Sequence, residues 1–348
     1  MKPYKQKFIL LVFGIVLFSS CTQLLYTSLD VLRPAKVEFN SNANDLLVVN
    51  NAVIQPQSYG HKTVLMNNKT TNLLLSSDSL AIFCLSSLAE DMENKAFFSS
   101  VKVLPNSVNK SIEFFKPDKL MDDTVNVLCK SNQANILLSL DNIKVNDDLN
   151  EYYLDDNYSF LNSLEVKYET TWSIHYPNKP EVKTIIFKDT LYWETQSYNR
   201  RQAQWDMPNR KDALIDGALE VGRKCVNRFT PFWDKVDRYF FSSGNKYINQ
   251  GMDSVYVKNW KSAIAIWTSV YNTNTNGLVQ AYAANNIAIA YEISGDIDKA
   301  LEFATKSYYS FGRLTIPDYS SFIRISDYIN ELNQRKNEIV ILKKQLGE

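Results

Sequence analysis

The sequence predicts an α+β protein, a mixed β-sheet domain with packed helices followed by an all-α domain of helical repeats. Three observations carry this. Residues 45–143 alternate strand-like apolar runs with helix-period stripes, residues 164–193 switch to period two, and from Met207 onward apolar residues recur at helical spacing.

Asp45 to Val53 (DLLVVNNAV) reads as a strand with a continuous apolar run at Leu46 to Val49. Ser76 to about Lys95 reads as a helix, with Ser76, Ser77 or Asp78 placed to cap its start. Leu80, Cys84, Leu88 and Met92 form its stripe at intervals of four. Val101 to Leu104 is a short strand ended by Pro105. Leu120 to about Ser131 is a second helix, with Asp122 and Asp123 near its positive N-terminus. Asn135 to Ile143 (NILLSLDNI within ANILLSLDNI) is a third strand, and the order β-α-β-α-β places helices on a sheet. Leu164, Val166, Tyr168, Trp172, Ile174 and Tyr176 then alternate with mostly polar neighbours, as in a strand with one buried face. Pro177-Asn178-Lys179-Pro180 turns the chain, and Val182 to about Trp193 returns as an antiparallel partner. Pro208 suits a first helical position, and Leu214, Ala218, Val221 and Cys225 make the stripe of the next helix. Pro231 is expected to begin another helix carrying Trp233, Val236 and Phe240.

The N-terminus has the layout of a secretory signal peptide: Lys2, Lys5 and Lys7, an apolar run from Phe8 to Phe18, then small residues. That run is 11 residues, short of the roughly 20 needed to span a bilayer. Phe18-Ser19-Ser20-Cys21 resembles the lipobox of bacterial lipoproteins, with Phe18 where the strongest lipoboxes carry Leu. The resemblance implies cleavage before Cys21, diacylation of its thiol and acylation of the new amino group. Each buried methylene of such chains contributes about 0.8 kcal/mol, so several chains hold stably. The expected organisation is therefore a signal peptide at 1–20, a lipidated tether at 21–42, a sheet domain at 43–200 and a helical domain at 201–348. After Cys21 the chain lacks the acidic run that resembles a surface-export signal, which favours an outer membrane location facing the periplasm.

Hydrophobic content of 45% is that of a globular protein, and 38 basic residues balance 38 acidic ones. Neutrality argues against nucleic acid or an anionic membrane surface as the main partner. Cys84, Cys129 and Cys225 are read as small buried apolar residues, with one bridge left open because the periplasm oxidises pairs.

In AANNIAIAYEISGDIDKALEFATKS, the residues Ala288, Tyr291, Gly295, Ala300 and Ser307 stand at spacings that resemble a tetratricopeptide repeat. Small residues at Ala288 and Ala300 let two helices approach, and Gly295 supplies the turn. Tyr247, Gly251, Trp260, Ala263 and Trp267 form an earlier copy, with Ala263 and Ala300 37 positions apart. The first copy carries Lys258 at the turn position, a departure from glycine. The all-α domain is therefore tetratricopeptide-like over about 244–311, with helices of 208–242 and 317–346 covering its ends. Such a block either packs on the sheet domain or offers a groove to a peptide or protein. The candidate contact residues are Tyr282, Asn285 and Glu292 on one helix face, with Asn245 in the place of Tyr282 in the earlier copy.

As a whole the chain resembles an uncharacterised family of Bacteroidota lipoproteins with an N-terminal α/β domain and C-terminal tetratricopeptide-like repeats. The residues carrying this are the lipobox, Leu32-Arg33-Pro34-Ala35 before LLVVNNA, Asn135 to Asp141, Pro231-Phe232-Trp233 with Arg238-Tyr239, and Trp260 to Trp267 before AANNIAIAYEISGD. The resemblance brings no activity. The front half also looks like sheet-and-helix domains at the N-termini of envelope proteins such as the periplasmic Tol-system protein, an analogy of fold.

No GxSxG, Walker-type loop or GxGxxG occurs. His61, in an expected loop, and His175, at an expected wet hairpin, have no His or Cys at ligand spacing, so no metal is expected. The pairs Asp122-Asp123, Asp147-Asp148 and Asp155-Asp156 read as solvated loops or a helix start, and Arg200-Arg201 with Arg210-Lys211 as a solvated junction. The expectation is a non-enzymatic, cofactor-free envelope lipoprotein, held to the membrane by lipid on Cys21 and binding an envelope protein or peptide. The alternative is an envelope structural or assembly factor acting through the sheet domain.

Overall fold

The computed structural model describes residues 23–39, 44–243 and 245–347. The segment expected as a signal peptide, and Cys21, where lipidation is expected, lie outside the described residues. The chain forms two compact units, Ala35–Pro231 and one joining the segment up to Pro34 with Phe232–Glu348. The boundary expected near residue 200 therefore falls elsewhere, and the tail of the expected tether enters a unit.

In the unit Ala35–Pro231, strands β2 (Asp45–Asn50), β5 (Ser100–Leu104) and β6 (Ile136–Leu154) run parallel in the order β5-β2-β6. Residues Leu46 to Val49 are at most 1% exposed, as a strand covered on both faces requires. Each such side chain contributes about 1.5–3 kcal/mol of burial. Helix α1 (Leu80–Asn94) covers one face, with its predicted stripe Leu80, Cys84, Leu88 and Met92 in the core. Helix α2 (Asp122–Asn132) covers the other through Val125 and Cys129, against Leu47, Val49 and Leu137.

β6 continues to Leu154, well past the expected Ile143, with a register shift between Leu140 and Asn142. Its far half pairs with β3 (His61–Val64), which pairs in turn with β4 (Thr70–Asn72). β7 (Ser159–His175) and β8 (Lys183–Ser197) follow antiparallel, the expected hairpin. After a short helix α3 (Arg200–Trp205), α4 (Arg210–Phe229) returns onto the α1 face with Leu214, Ala218, Val221 and Cys225 buried. Cys84, Cys129 and Cys225 are free thiols, and all three are buried.

The second unit opens on a ribbon that the sequence did not suggest. β1 (Gln23–Arg33), expected as tether, pairs antiparallel along its whole length with β9 (Phe232–Ser242), expected as helix. Trp233, Val236 and Phe240 do match helical spacing, but the stretch is dense in aromatic residues, which favour strands. Its partner lies about two hundred residues away, beyond any local pattern.

Helices α5 (Lys246–Tyr256), α6 (Trp260–Thr273), α7 (Gly277–Ile293), α8 (Ile297–Gly312) and α9 (Tyr319–Leu346) complete this unit. α5 packs on α6 through Gly251, where a Cβ would stand 2.1 Å from Trp267 Nε1. That indole is fixed by donating to the Ile248 carbonyl at 3.0 Å. Gly295, between α7 and α8, has φ +85°, and Lys258, at the equivalent turn between α5 and α6, adopts φ +56°. A lysine thus takes the left-handed conformation that glycine takes in the later turn. Among the described residues no helix is long and apolar enough to cross a membrane.

Candidate functional site

The four sequence candidates in the helical unit are structural in their placement. Asn245 caps α5, its side chain accepting from Tyr247 N at 2.9 Å and Ile248 N at 3.3 Å. Tyr282 is 2% exposed and stacks on Phe241 with ring centres 4.4 Å apart. Asn285 is fully buried and donates from Nδ2 to the Tyr239 carbonyl at 3.1 Å. The adjacent Asn286 accepts from Phe241 N and donates to Phe241 O, both at 2.8 Å. Two consecutive helical amides thereby satisfy the edge of β9 that β1 does not cover.

Glu292 is corrected most strongly. Its side chain has no exposed surface, and it receives a two-pronged hydrogen bond from Arg238, Nε to Oε2 at 2.7 Å and Nη2 to Oε1 at 2.9 Å. Tyr328 donates to Oε2 at 2.8 Å, and Arg335 also pairs with Oε1. Burial would raise the Glu292 pKa, but Arg238, Arg335 and Tyr328 outweigh it and hold the carboxyl below its usual value. Burial likewise drives the Tyr328 phenol well above its ordinary range, with Glu292 adding to the effect, so it acts as a donor.

Beside this charge cluster lies a cavity of about 160 Å³ between β9, α7 and α9. Its walls include Tyr239, Asn285 and Tyr328, and Asp237, Arg324, Asp327 and Glu331 also line it. Two buried polar atoms among these residues have no hydrogen-bond partner, Asn285 Oδ1 and Tyr239 Oη. The amide of Asn285 is oriented by the Tyr239 carbonyl, which requires the NH₂ end on that side and leaves the oxygen unpaired. Arg324 places its guanidinium 5.6 Å from the Tyr239 ring centre, a cation over an aromatic face. Of these lining groups the sequence singled out only Asn285 as a contact residue. A signal was present: Arg324, Tyr328, Glu331 and Arg335 recur at intervals of three and four, a polar row that meets the buried stripe Ile325, Tyr328 and Leu332 at Tyr328.

The sheet unit has its own cavity, about 150 Å³, where β2 and β5 end. Open α/β sheets bind ligands outside the carboxyl ends of their strands. Here the main polar side chains are committed to shaping loops. Asn50 donates to Pro105 O at 2.8 Å, Gln55 exchanges two 2.8 Å bonds with the Val145 backbone, and Ser77 donates to Gln55 O at 3.0 Å.

Both histidines are buried, against the expectation of a loop and a wet hairpin. His61 donates from Nδ1 to Asp147, whose other oxygen binds Arg210. Asp147, expected in a solvated loop, is 1% exposed on β6, and Arg210 is a clamp between β3 and β6 rather than a solvated junction. Arg200 similarly pairs with the buried Glu151 at 2.7 Å. His175 Nε2 lies 3.2 Å from Ser139 Oγ, which donates to Asp141 at 2.7 Å. In a nucleophilic triad the histidine stands between nucleophile and carboxylate. Here the serine stands in the middle, fully buried, and Asn51 also donates to Asp141 at 3.0 Å. Burial lowers the His175 pKa below its ordinary 6.5, with Asp141 opposing. Among the described residues no group of three or more His, Cys, Asp or Glu side chains is placed to hold a metal ion.

Residues 43–241 match the family model described as Domain of unknown function (DUF8603), and residues 249–334 match that described as Domain of unknown function (DUF6340). No curated protein matches the chain. One similar solved structure, of an uncharacterized protein, is 10% identical with a TM-score of 0.23, covering 54% of this chain and 93% of its own. Another, assigned as a homolog of a neuraminyllactose-binding hemagglutinin from Helicobacter pylori, is 8% identical with a TM-score of 0.27, covering 55% of this chain and 90% of its own.

Proposed function

This chain belongs to the DUF8603 family, and we propose that it is a non-enzymatic binding protein of a bacterial envelope, tethered by lipid on Cys21 and recognising a protein or peptide through its helical unit. The observation that carries the binding part is the cavity of about 160 Å³ between β9, α7 and α9, lined by Tyr239, Asn285, Arg324, Asp327 and Tyr328. The tether rests on the basic start, the apolar run and Cys21 at the place where lipoprotein cleavage occurs. Acyl chains there would hold the body at the outer membrane, facing the periplasm. Within the proposal, α5–α8 are two tetratricopeptide-like repeats of a Bacteroidota lipoprotein. Supporting this are the close approach at Gly251 and the matching left-handed turns at Lys258 and Gly295.

Photo-crosslinking in the native envelope tests the role. A photoreactive residue at Asp327, beside the helical-unit cavity, is expected to capture a discrete partner, and one at the exposed Ile54 is not. Capture only from Ile54, beside the sheet-unit cavity, would instead favour an assembly factor acting through the sheet. Mass spectrometry of the mature N-terminus tests the tether, and an unmodified Cys21 thiol would remove it.

A further inference from the structure

We propose that the end of the helical unit formed by the start of β1, the end of α8 and the start of α9 lies against the bilayer that holds the acyl chains of Cys21, with Ile316, Tyr319 and Ile323 in its headgroup region. This deepens the tether given above and rests on it. Reach comes first. A flexible tether over residues 21–42 would let the body stand on the order of 70 Å from the membrane. The chain instead enters β1 at Gln23, two residues after Cys21, and is paired with β9 from that point on. Two residues reach about 7 Å at most, so the ribbon begins at the anchor.

Direction comes second. Tyr26, near the start of β1, accepts from Arg324 Nη1 at 3.3 Å, and Arg33, at its end, donates to Glu338 at 2.8 Å. Tyr26 to Arg33 spans about 23 Å of strand and Arg324 to Glu338 about 21 Å of helix, so β1 and α9 run side by side in one direction. The first turn of α9 therefore sits at the anchored end. The end of α8 sits there too. Phe241, opposite Leu24, lies 5.6 Å from Phe311 between ring centres, and Tyr308 stacks on Phe322 at 4.4 Å.

Surface chemistry comes third. At this end Ile316 is 84%, Tyr319 72% and Ile323 59% exposed. Tyr319 and Ile323 are four apart and share one side of α9. Between Gly312 and Ile323 the charged residues are Arg313 and Asp318, and Asp318 is occupied in capping α9 by accepting from Ser321 N at 3.1 Å. A bilayer surface takes apolar side chains below its headgroups and tyrosine rings at their level. The neutral balance of the segment fits a contact made by apolar groups rather than by attraction to anionic lipid.

The test uses the full chain, acylated in the cell and reconstituted into phosphatidylcholine vesicles, with a nitroxide on Ile316→Cys, Ile323→Cys or Val340→Cys. Cys84, Cys129 and Cys225 are buried, which leaves the introduced thiol to take the label. Val340, 68% exposed and about 25 Å further along α9, is the control. Collisions with oxygen, enriched in lipid, are compared with collisions with a water-soluble nickel complex. The oxygen-to-nickel ratio should be several-fold higher at 316 and 323 than at 340, with little change on adding salt. A label on Tyr319→Cys should lose that preference when Ile316→Ser and Ile323→Ser are combined with it. Equal ratios at all three positions, whether in water or in lipid, would overturn the contact, and with Cys21 acylated by mass spectrometry they would leave the tether standing. Lipid contact at 316 and 323 in a chain whose Cys21 is unmodified would remove the tether and keep the contact. Water at every label with an unmodified Cys21 would overturn both.

Discussion

Replacing Glu292 by Ala removes the one carboxylate that Arg238, Arg335 and Tyr328 share. In the native protein its side chain has 0% exposure and that of Arg238 has 6%. Breaking a buried pair by removing one partner typically costs about 3–5 kcal/mol, because the remaining charge is stranded. Arg238 retains Glu331 at 2.8 Å, and Arg335 is 14% exposed and can reach water. The lower end, about 3 kcal/mol, is therefore expected. For a unit of this size each kcal/mol lowers the midpoint by roughly 2–4 °C, so a drop on the order of 10 °C should follow. Urea unfolding monitored by the aromatic signal of the helical unit gives the free energy directly. A double variant, Glu292→Gln with Arg238→Met, should recover much of the loss, since the stranded charge is gone. The Glu292 carboxyl is held low, so its contribution is full above the unfolded value and disappears as pH falls through the folded one. The Glu292→Ala penalty should accordingly shrink in acid. A residue on a solvated groove would change stability by at most about 0.5 kcal/mol. A loss that small, or one independent of pH, would refute the buried-cluster account.

Gly251→Ala should destabilise the helical unit by about 1–3 kcal/mol in the same assay, because the new Cβ would lie 2.1 Å from an indole pinned by its own hydrogen bond. Retained stability would show that Trp267 has another place to go. His175 is held below its ordinary value of 6.5 by burial, so neutral histidine is preferred in the fold. Stability should be full above about 6.5 and fall as pH drops below it, and His175→Gln should flatten that slope. A slope unchanged by the substitution would assign the effect elsewhere. Burial pushes the Cys84 thiol up to about 12 and Cys129 to about 11. Iodoacetamide at neutral pH should leave both unmodified in the native protein and alkylate them in urea, whereas rapid native labelling would contradict their burial.

The β-α-β-α-β front and the hairpin were legible because each element advertises itself within a dozen residues. The Leu80, Cys84, Leu88 and Met92 stripe and the alternation from Leu164 to Ile174 need no distant partner to be read. Gly295 and Ala300 marked the later helix pair for the same reason. The candidate site was only partly legible: Asn285 was singled out, but as a groove-facing residue, since helical spacing tells which residues share a face and not what covers it.

Tertiary structure alone decided three things. It made β1 a strand, because its hydrogen-bonding partner, β9, enters the chain about two hundred residues later. It turned Asp147, Arg210 and His61 from apparently solvated groups into one buried clamp, since charge becomes affordable inside only when a partner arrives from elsewhere. It also left one amide oxygen of Asn285 unpaired by taking its NH₂ for the edge of β9. Local periodicity comes from the geometry of a single helix or strand and can be read in one dimension. Pairing, burial of charge and the shape of a cavity belong to residues far apart in the chain, and only their meeting fixes them.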